Sequence, residues 1–237
     1  MTLRKHIPNT ITSMNLLCGV VGVILSLEGR LDLGFILMLL AAVCDFCDGL
    51  AARLLGAYSG IGKELDSLAD MVSFGVLPSV MLYKLGSGHG LLAYLPLVLA
   101  AFSALRLAKF NLDERQHASF IGLPTPAAAM VCGSLASHVT VAPAGMLASW
   151  CAGPVFLPIL AVVLSVLLVC EVPMFSMKFG GKAKADGKAT MLRFVFLFVA
   201  LMSAIVVLWT GSDWSLIFLA SFTGYILINL AAALLKP

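Results

Sequence analysis

Half of this chain's eight aspartates fall within one short stretch of an otherwise apolar sequence. The segment CDFCDGLAARLLGAYSGIGKELDSLADMVSFG contains Asp45, Asp48, Asp66 and Asp70. An acid at the centre of a membrane helix costs roughly 2.5–3.5 kcal/mol and usually marks function. Asp45 and Asp48 are three residues apart, which puts them on one side of a helix. Asp66 and Asp70 are four apart, and Gly62 lies four before Asp66, so these three share a stripe on the next helix. The short turn over 57–61 makes the two helices antiparallel neighbours and lets all four acids converge. Carboxylates that close repel one another and take up protons unless cations neutralise them. An all-oxygen ligand set suits hard ions, Mg²⁺ or Mn²⁺. Two such ions about 3.5–4 Å apart, bridged by shared carboxylates, clamp both sides of a phosphoryl displacement.

The residues between the acids bear on the same chemistry. Gly49 removes a side chain where a bulky ligand approaches the helix, and Ala52 keeps the same face open. Arg53 offers a planar donor fork for a phosphate. An ion or proton pathway in a transporter also gathers intramembrane carboxylates. Such a pathway does not require Gly, Ala and Arg at these positions, so phosphate chemistry is the stronger reading and transport the alternative.

The elements that must hold these residues are membrane helices. Of 237 residues, 61% are hydrophobic and only 11% charged, against roughly 25% charged in a soluble domain. Helix-length apolar runs of about 20 residues occur at 11–27, 33–55, 62–85, 91–110, 126–141, 155–172, 192–210 and 214–235. They lack the alternation of barrel strands. The expected fold is an all-α, polytopic bundle of about eight transmembrane helices forming one domain over 1–237, with no internal repeat. The first run lacks a small-residue cleavage site and is expected to remain as a span.

Placing both termini in the cytoplasm puts Arg4, Lys5, Arg53, Lys63, Arg106, Lys109, Arg115, Lys178, Lys182, Lys184, Lys188, Arg193 and Lys236 on that side and leaves only Arg30 and Lys84 outside. That asymmetry follows the positive-inside rule and sets the acids at the cytoplasmic boundary of a cell membrane. A net charge of +3 is too small to suggest a nucleic-acid partner. The six cysteines lack framework spacing, and Cys44-x-x-Cys47 has no second pair to complete a zinc site, so all six read as small buried hydrophobes.

The acidic segment resembles the CDP-alcohol phosphotransferase family. It matches D-x2-D-G-x2-A-R-x8-G-x3-D-x3-D at every fixed position, through Asp45, Asp48, Gly49, Ala52, Arg53, Gly62, Asp66 and Asp70. The resemblance implies one metal on Asp45, Asp48 and Asp66, and a second on Asp45, Asp66 and Asp70. It also makes Asp70 the candidate catalytic base. Gly49, Ala52, Arg53, Ser59 and Gly62 would bind the CDP-lipid. IPNTIT resembles the family's P-N-x-x-T, which adds Asn9 and Thr12 on the nucleotide side.

The acceptor alcohol is read from other stretches. ELDSLADMVSFGVLPS, RLAKFN, FIGLPTPAAA and VPMFSMK resemble the family's serine-accepting, integral-membrane branch. That resemblance implies CDP-diacylglycerol and L-serine as substrates, and pairing as a homodimer. A serine carboxylate needs a cation. Arg106 and Lys109, with Asn111 beside them, stand at the expected cytoplasmic end of the fourth helix, where they equally suit interfacial snorkelling. His117, Gly122, Pro124 and Pro126 are expected to shape the loop and helix start that follow. Glu171, before Pro173, departs from the neutral stretch expected there. Glycerol 3-phosphate or inositol phosphate remains the alternative acceptor, although either would call for more basic residues than these.

Overall fold

A computed structural model describes residues 6–113, 120–175 and 187–235. Arg4, Lys5, Arg115, His117, Lys178, Lys182, Lys184 and Lys236 lie outside the described residues, as does the side chain of Lys188.

Helices α1 (His6–Leu27) and α2 (Leu31–Leu55) form an antiparallel hairpin. The buried face of α1 is Pro8, Thr12, Asn15, Gly19, Gly22 and Ser26. Alternating steps of four and three keep these small or polar residues on one seam, which lets neighbouring backbones approach closely. A Cβ added to Gly19 would stand 2.4 Å from Ser73 Oγ.

The turn after α2 is built by two local devices. Gly56 adopts the left-handed conformation at φ 57° and returns its N–H to the last carbonyls of α2. Ser59 caps α3 (Gly60–Asp70) by accepting the Gly62 N–H at 3.0 Å. From Asp70 the helix widens into a π turn over Met71–Val76 and continues as α4 (Leu77–Leu85). A 3-10 stretch, Gly90–Leu97, leads into α5 (Val98–Leu112).

Helix α6 (Thr125–Val141) is the hub, buried without a break from Ala127 to Ser137 and packed on α2, α4 and α10. The remaining helices are α7 (Met146–Cys151), α8 (Phe156–Val169), α9 (Gly187–Thr210) and α10 (Ser215–Leu234). One short antiparallel pair, β1 (Phe120–Ile121) with β2 (Pro173–Met174), joins the two segments that flank α6 and α8.

Among the described residues the protein is all-helical apart from that pair, and a helix covers the greater part of each apolar run read from the sequence. Among the described residues, six helices are long and apolar enough to cross a membrane: His6–Leu27, Leu31–Leu55, Gly60–Leu85, Gly90–Leu112, Thr190–Thr210 and Ser215–Leu234. The other two of the expected eight are shorter, 17 residues in α6 and 14 in α8. A helix sheathed by other helices need not match the lipid thickness, which accounts for α6. The outer face of α9 exposes Phe194, Phe198, Leu201, Leu208 and Trp209, as lipid contact requires. The cysteines are all free thiols, with Cys44, Cys132 and Cys151 buried.

Candidate active site

The acids of α2 and α3 meet as the sequence predicts. Asp45, Asp48 and Asp66 each present a carboxylate oxygen within 4.8 Å of the others. Asp70, one turn beyond Asp66, interacts electrostatically with Asp45, Asp66 and Asp48 in that order of strength. Two residues of α1 orient the group. Thr12 Oγ1 lies 2.6 Å from Asp48 Oδ2 and 3.0 Å from Pro8 O, so one hydroxyl proton is shared between them. Fully buried Asn15 donates from Nδ2 to Asp70 Oδ1 at 3.3 Å, and its carbonyl accepts from Ser73 Oγ at 3.0 Å. The π turn therefore begins where Asp70 is tied to α1, a placement typical of functional sites. Three carboxylates this close, with Asp70 alongside, fit a hard divalent cation by donor type and by excess negative charge.

A cleft of about 360 Å³ opens beside the acids. Its walls bring together every residue expected to bind the CDP-lipid: Asn9, Thr12, Gly49, Ala52, Arg53, Ser59 and Gly62, with Asp48 and Asp66 at the acidic end. A Cβ on Gly49 would meet nothing within 4 Å, so this glycine borders open space. Gly62 answers a different demand, since a Cβ there would stand 3.0 Å from Ser59 Oγ and 3.1 Å from Asn9 Oδ1. Arg53 Nε donates to Gly49 O at 3.0 Å, which holds the guanidinium over the motif. The cleft also includes Pro8, Ala57, Tyr58 and Lys63, which the sequence reading did not assign to it.

A second cavity, about 320 Å³, is lined by Arg106, Lys109, Leu112, Asp113, Ile121 and residues 168–171. Arg106 is 7% exposed, lies 4.9 Å from the Phe110 ring centroid and interacts with Asp70. It therefore links this cavity to the carboxylates. Asn111 is not part of the wall. Its Nδ2 donates to Ser67 Oγ at 2.8 Å and its carbonyl accepts from Lys63 Nζ at 3.2 Å, tying α5 to α3. A larger apolar groove of about 770 Å³ between α6, α8, α9 and α10 carries no titratable side chain, so volume alone does not locate the chemistry.

The family model for CDP-alcohol phosphatidyltransferases matches residues 5–167, more than half of the chain. The chain belongs to this family. A Bacillus subtilis protein named CDP-diacylglycerol–serine O-phosphatidyltransferase is 37% identical over 130 residues, 53% of this chain and 72% of that protein. An archaetidylserine synthase of Methanothermobacter thermautotrophicus is 36% identical over 132 residues, 54% of this chain and 56% of its own length. A Mycobacterium leprae protein with the same name as the Bacillus one is 34% identical over 180 residues, 72% of this chain and 58% of the relative. The aligned part thus covers little more than half of the latter two.

Three further polar residues, at or behind the two cavities, escaped the sequence reading. Asn15 had a visible signal: an amide on the same helical stripe as Pro8 and Thr12 in an apolar helix, where a polar group needs a partner. Tyr225 and Asn229 are one turn apart in the last helix. They hold Phe175 by Tyr225 OH donating to Phe175 O at 2.9 Å and Phe175 N–H donating to Asn229 Oδ1 at 2.9 Å. Nothing local to the chain announces that clamp.

Proposed function

We infer that this chain transfers a phosphatidyl group from CDP-diacylglycerol to L-serine, releasing CMP and forming phosphatidylserine. One arrangement carries the reading. Asp48 and Asp66 border the cleft that holds the motif's Gly49 and Arg53, while Asp70, one turn on, lies within electrostatic reach of Arg106, which lines the second cavity. Donor and acceptor would then approach the same carboxylates from two sides. The names of the relatives support serine as the acceptor.

In this scheme Asn9, Thr12, Gly49, Ala52, Arg53, Ser59 and Gly62 seat the cytidine diphosphate. Asp45, Asp48, Asp66 and Asp70 would hold two divalent cations, Mg²⁺ or Mn²⁺, which supply charge neutralisation at the diphosphate. The serine hydroxyl oxygen bonds to the lipid-side phosphorus, and the bond from that phosphorus to the CMP oxygen breaks. Asp70 accepts the hydroxyl proton, and CMP leaves with the electron pair. Arg106 and Lys109 face the serine carboxylate. Asn111 acts from outside the cavity, by fixing α5 against α3.

The positive-inside asymmetry supports a single domain with eight spans, both termini and the site at the cytoplasmic face of a cell membrane, and the family resemblance supports pairing as a homodimer. Cysteine labelling in intact cells, on a background without native cysteines, should modify position 87 and not position 59; the reverse would overturn the topology. The function is tested by CMP release from CDP-diacylglycerol with a panel of alcohols. Serine should react far faster than glycerol 3-phosphate or inositol, and the opposite ranking would reject the assignment. The archaetidylserine synthase relative motivates a parallel assay with an ether-linked donor, whose tails would meet the same apolar helices.

A further inference from the structure

We propose that Glu171 is a specificity residue of the acceptor site, taking the ammonium of a zwitterionic amino acid whose carboxylate lies on Arg106 and Lys109. The proposal rests on the serine reading above and deepens it. One cavity of about 320 Å³ presents both signs of charge, Arg106 and Lys109 on α5 with Asp113 just after it, and Glu171 on the segment after α8. Of the two cations Arg106 reaches inward, at 7% exposed, while Lys109 stands at the exposed rim. Glu171 is exposed and stands on the wall nearer water. A ligand with a carboxylate and an ammonium on one carbon matches that polarity, whereas a phosphorylated alcohol would set its dianion against Glu171. The acid thus discriminates by repulsion as well as by attraction.

The backbone that carries Glu171 is fixed on both sides. Gly122 N–H donates to Val172 O at 2.9 Å and Leu123 N–H to Leu167 O at 2.8 Å. Gly122 sits at φ 77°, and a Cβ there would lie 2.7 Å from Leu168 O and 2.8 Å from Cys170 O. This close approach holds the turn that closes α8 against the β1 segment. On the other side, Tyr225 and Asn229 grip Phe175. A glutamate held on so constrained a segment, opposite two cations across one cavity, is placed to bind rather than only to solvate. Glu171 also lies beyond residue 167, where the family match ends.

The test measures CMP release by the full-length protein in detergent micelles containing CDP-diacylglycerol. Glu171→Gln keeps the shape and removes the charge. It should raise KM for serine about ten-fold, the range for losing a charge-assisted contact, with kcat and donor KM near wild type. With 3-hydroxypropanoate, which is serine lacking the ammonium, kcat/KM should hold or rise in the variant, because a repulsion is relieved and no contact is lost. Serine's advantage over it should therefore shrink at least about ten-fold in the variant. An unchanged serine KM, or a loss shared by both acceptors, overturns the Glu171 assignment while the serine reading stands. Wild-type enzyme that prefers glycerol 3-phosphate to serine overturns both.

Discussion

The cleft beside the acids and the cavity beside Arg106 are similar in size, about 360 and 320 Å³, yet they are assembled in opposite ways. The cleft is local. Apart from one stripe of α1, its walls come from 48–66, where helical spacing and one capped turn are enough to bring the side chains together. The cavity draws on α5, the β1 segment and the end of α8, and α10 braces it from behind. Under the proposed function, phosphoryl transfer would rest on the contiguous motif, and choice of acceptor on a composite wall where one side chain can change without disturbing that chemistry.

The largest effect should come from the element both regions share. Asp66→Asn removes charge from the triad and should lower CMP release by about three orders of magnitude, as expected for losing preorganised electrostatic stabilisation. Serine and donor KM should change much less. Chelation with EDTA should abolish turnover and added Mn²⁺ or Mg²⁺ restore it; full turnover in metal-free buffer would reject the two-metal scheme.

Smaller effects should separate the two regions. Gly49→Leu adds bulk where a Cβ meets nothing within 4 Å, so thermal unfolding should hold or rise slightly. Donor KM should increase at least about ten-fold because the side chain fills the ligand's space. Unchanged donor KM would mean that the donor binds elsewhere. Asn229→Ala leaves the buried Phe175 N–H without its acceptor and should cost about 1–3 kcal/mol of stability. The kinetic consequence should appear as a several-fold rise in serine KM, with donor KM constant. Equal shifts in both constants would show that the two regions are not energetically separate. Tyr225→Phe should be the mildest, about 1 kcal/mol, since it deletes one hydrogen bond and keeps the ring packed against Phe175.

By itself the sequence determined the helical class, the acids and the residues that wall the cleft beside them. Each of these depends on short-range rules: apolar length for a span, steps of three and four for a helix face, Ser59 and Gly56 for the turn between α2 and α3. For that reason Asn9, Thr12, Gly49, Arg53 and Gly62 could be named before any coordinates and were then found in one cleft. Arg106 and Lys109 were legible as charges, though not as one wall of a cavity, and Asn111 belongs instead to the α5–α3 tie. Tertiary structure alone decided that α6, read as an ordinary span, is the buried hub of the bundle. It also decided that Glu171, an anomaly in the sequence, faces the same cavity as Arg106, and that Tyr225 and Asn229 hold its segment in place. Those contacts join residues about 50 to 65 positions apart in the chain. No local periodicity encodes such pairings; only packing around α6 brings them together.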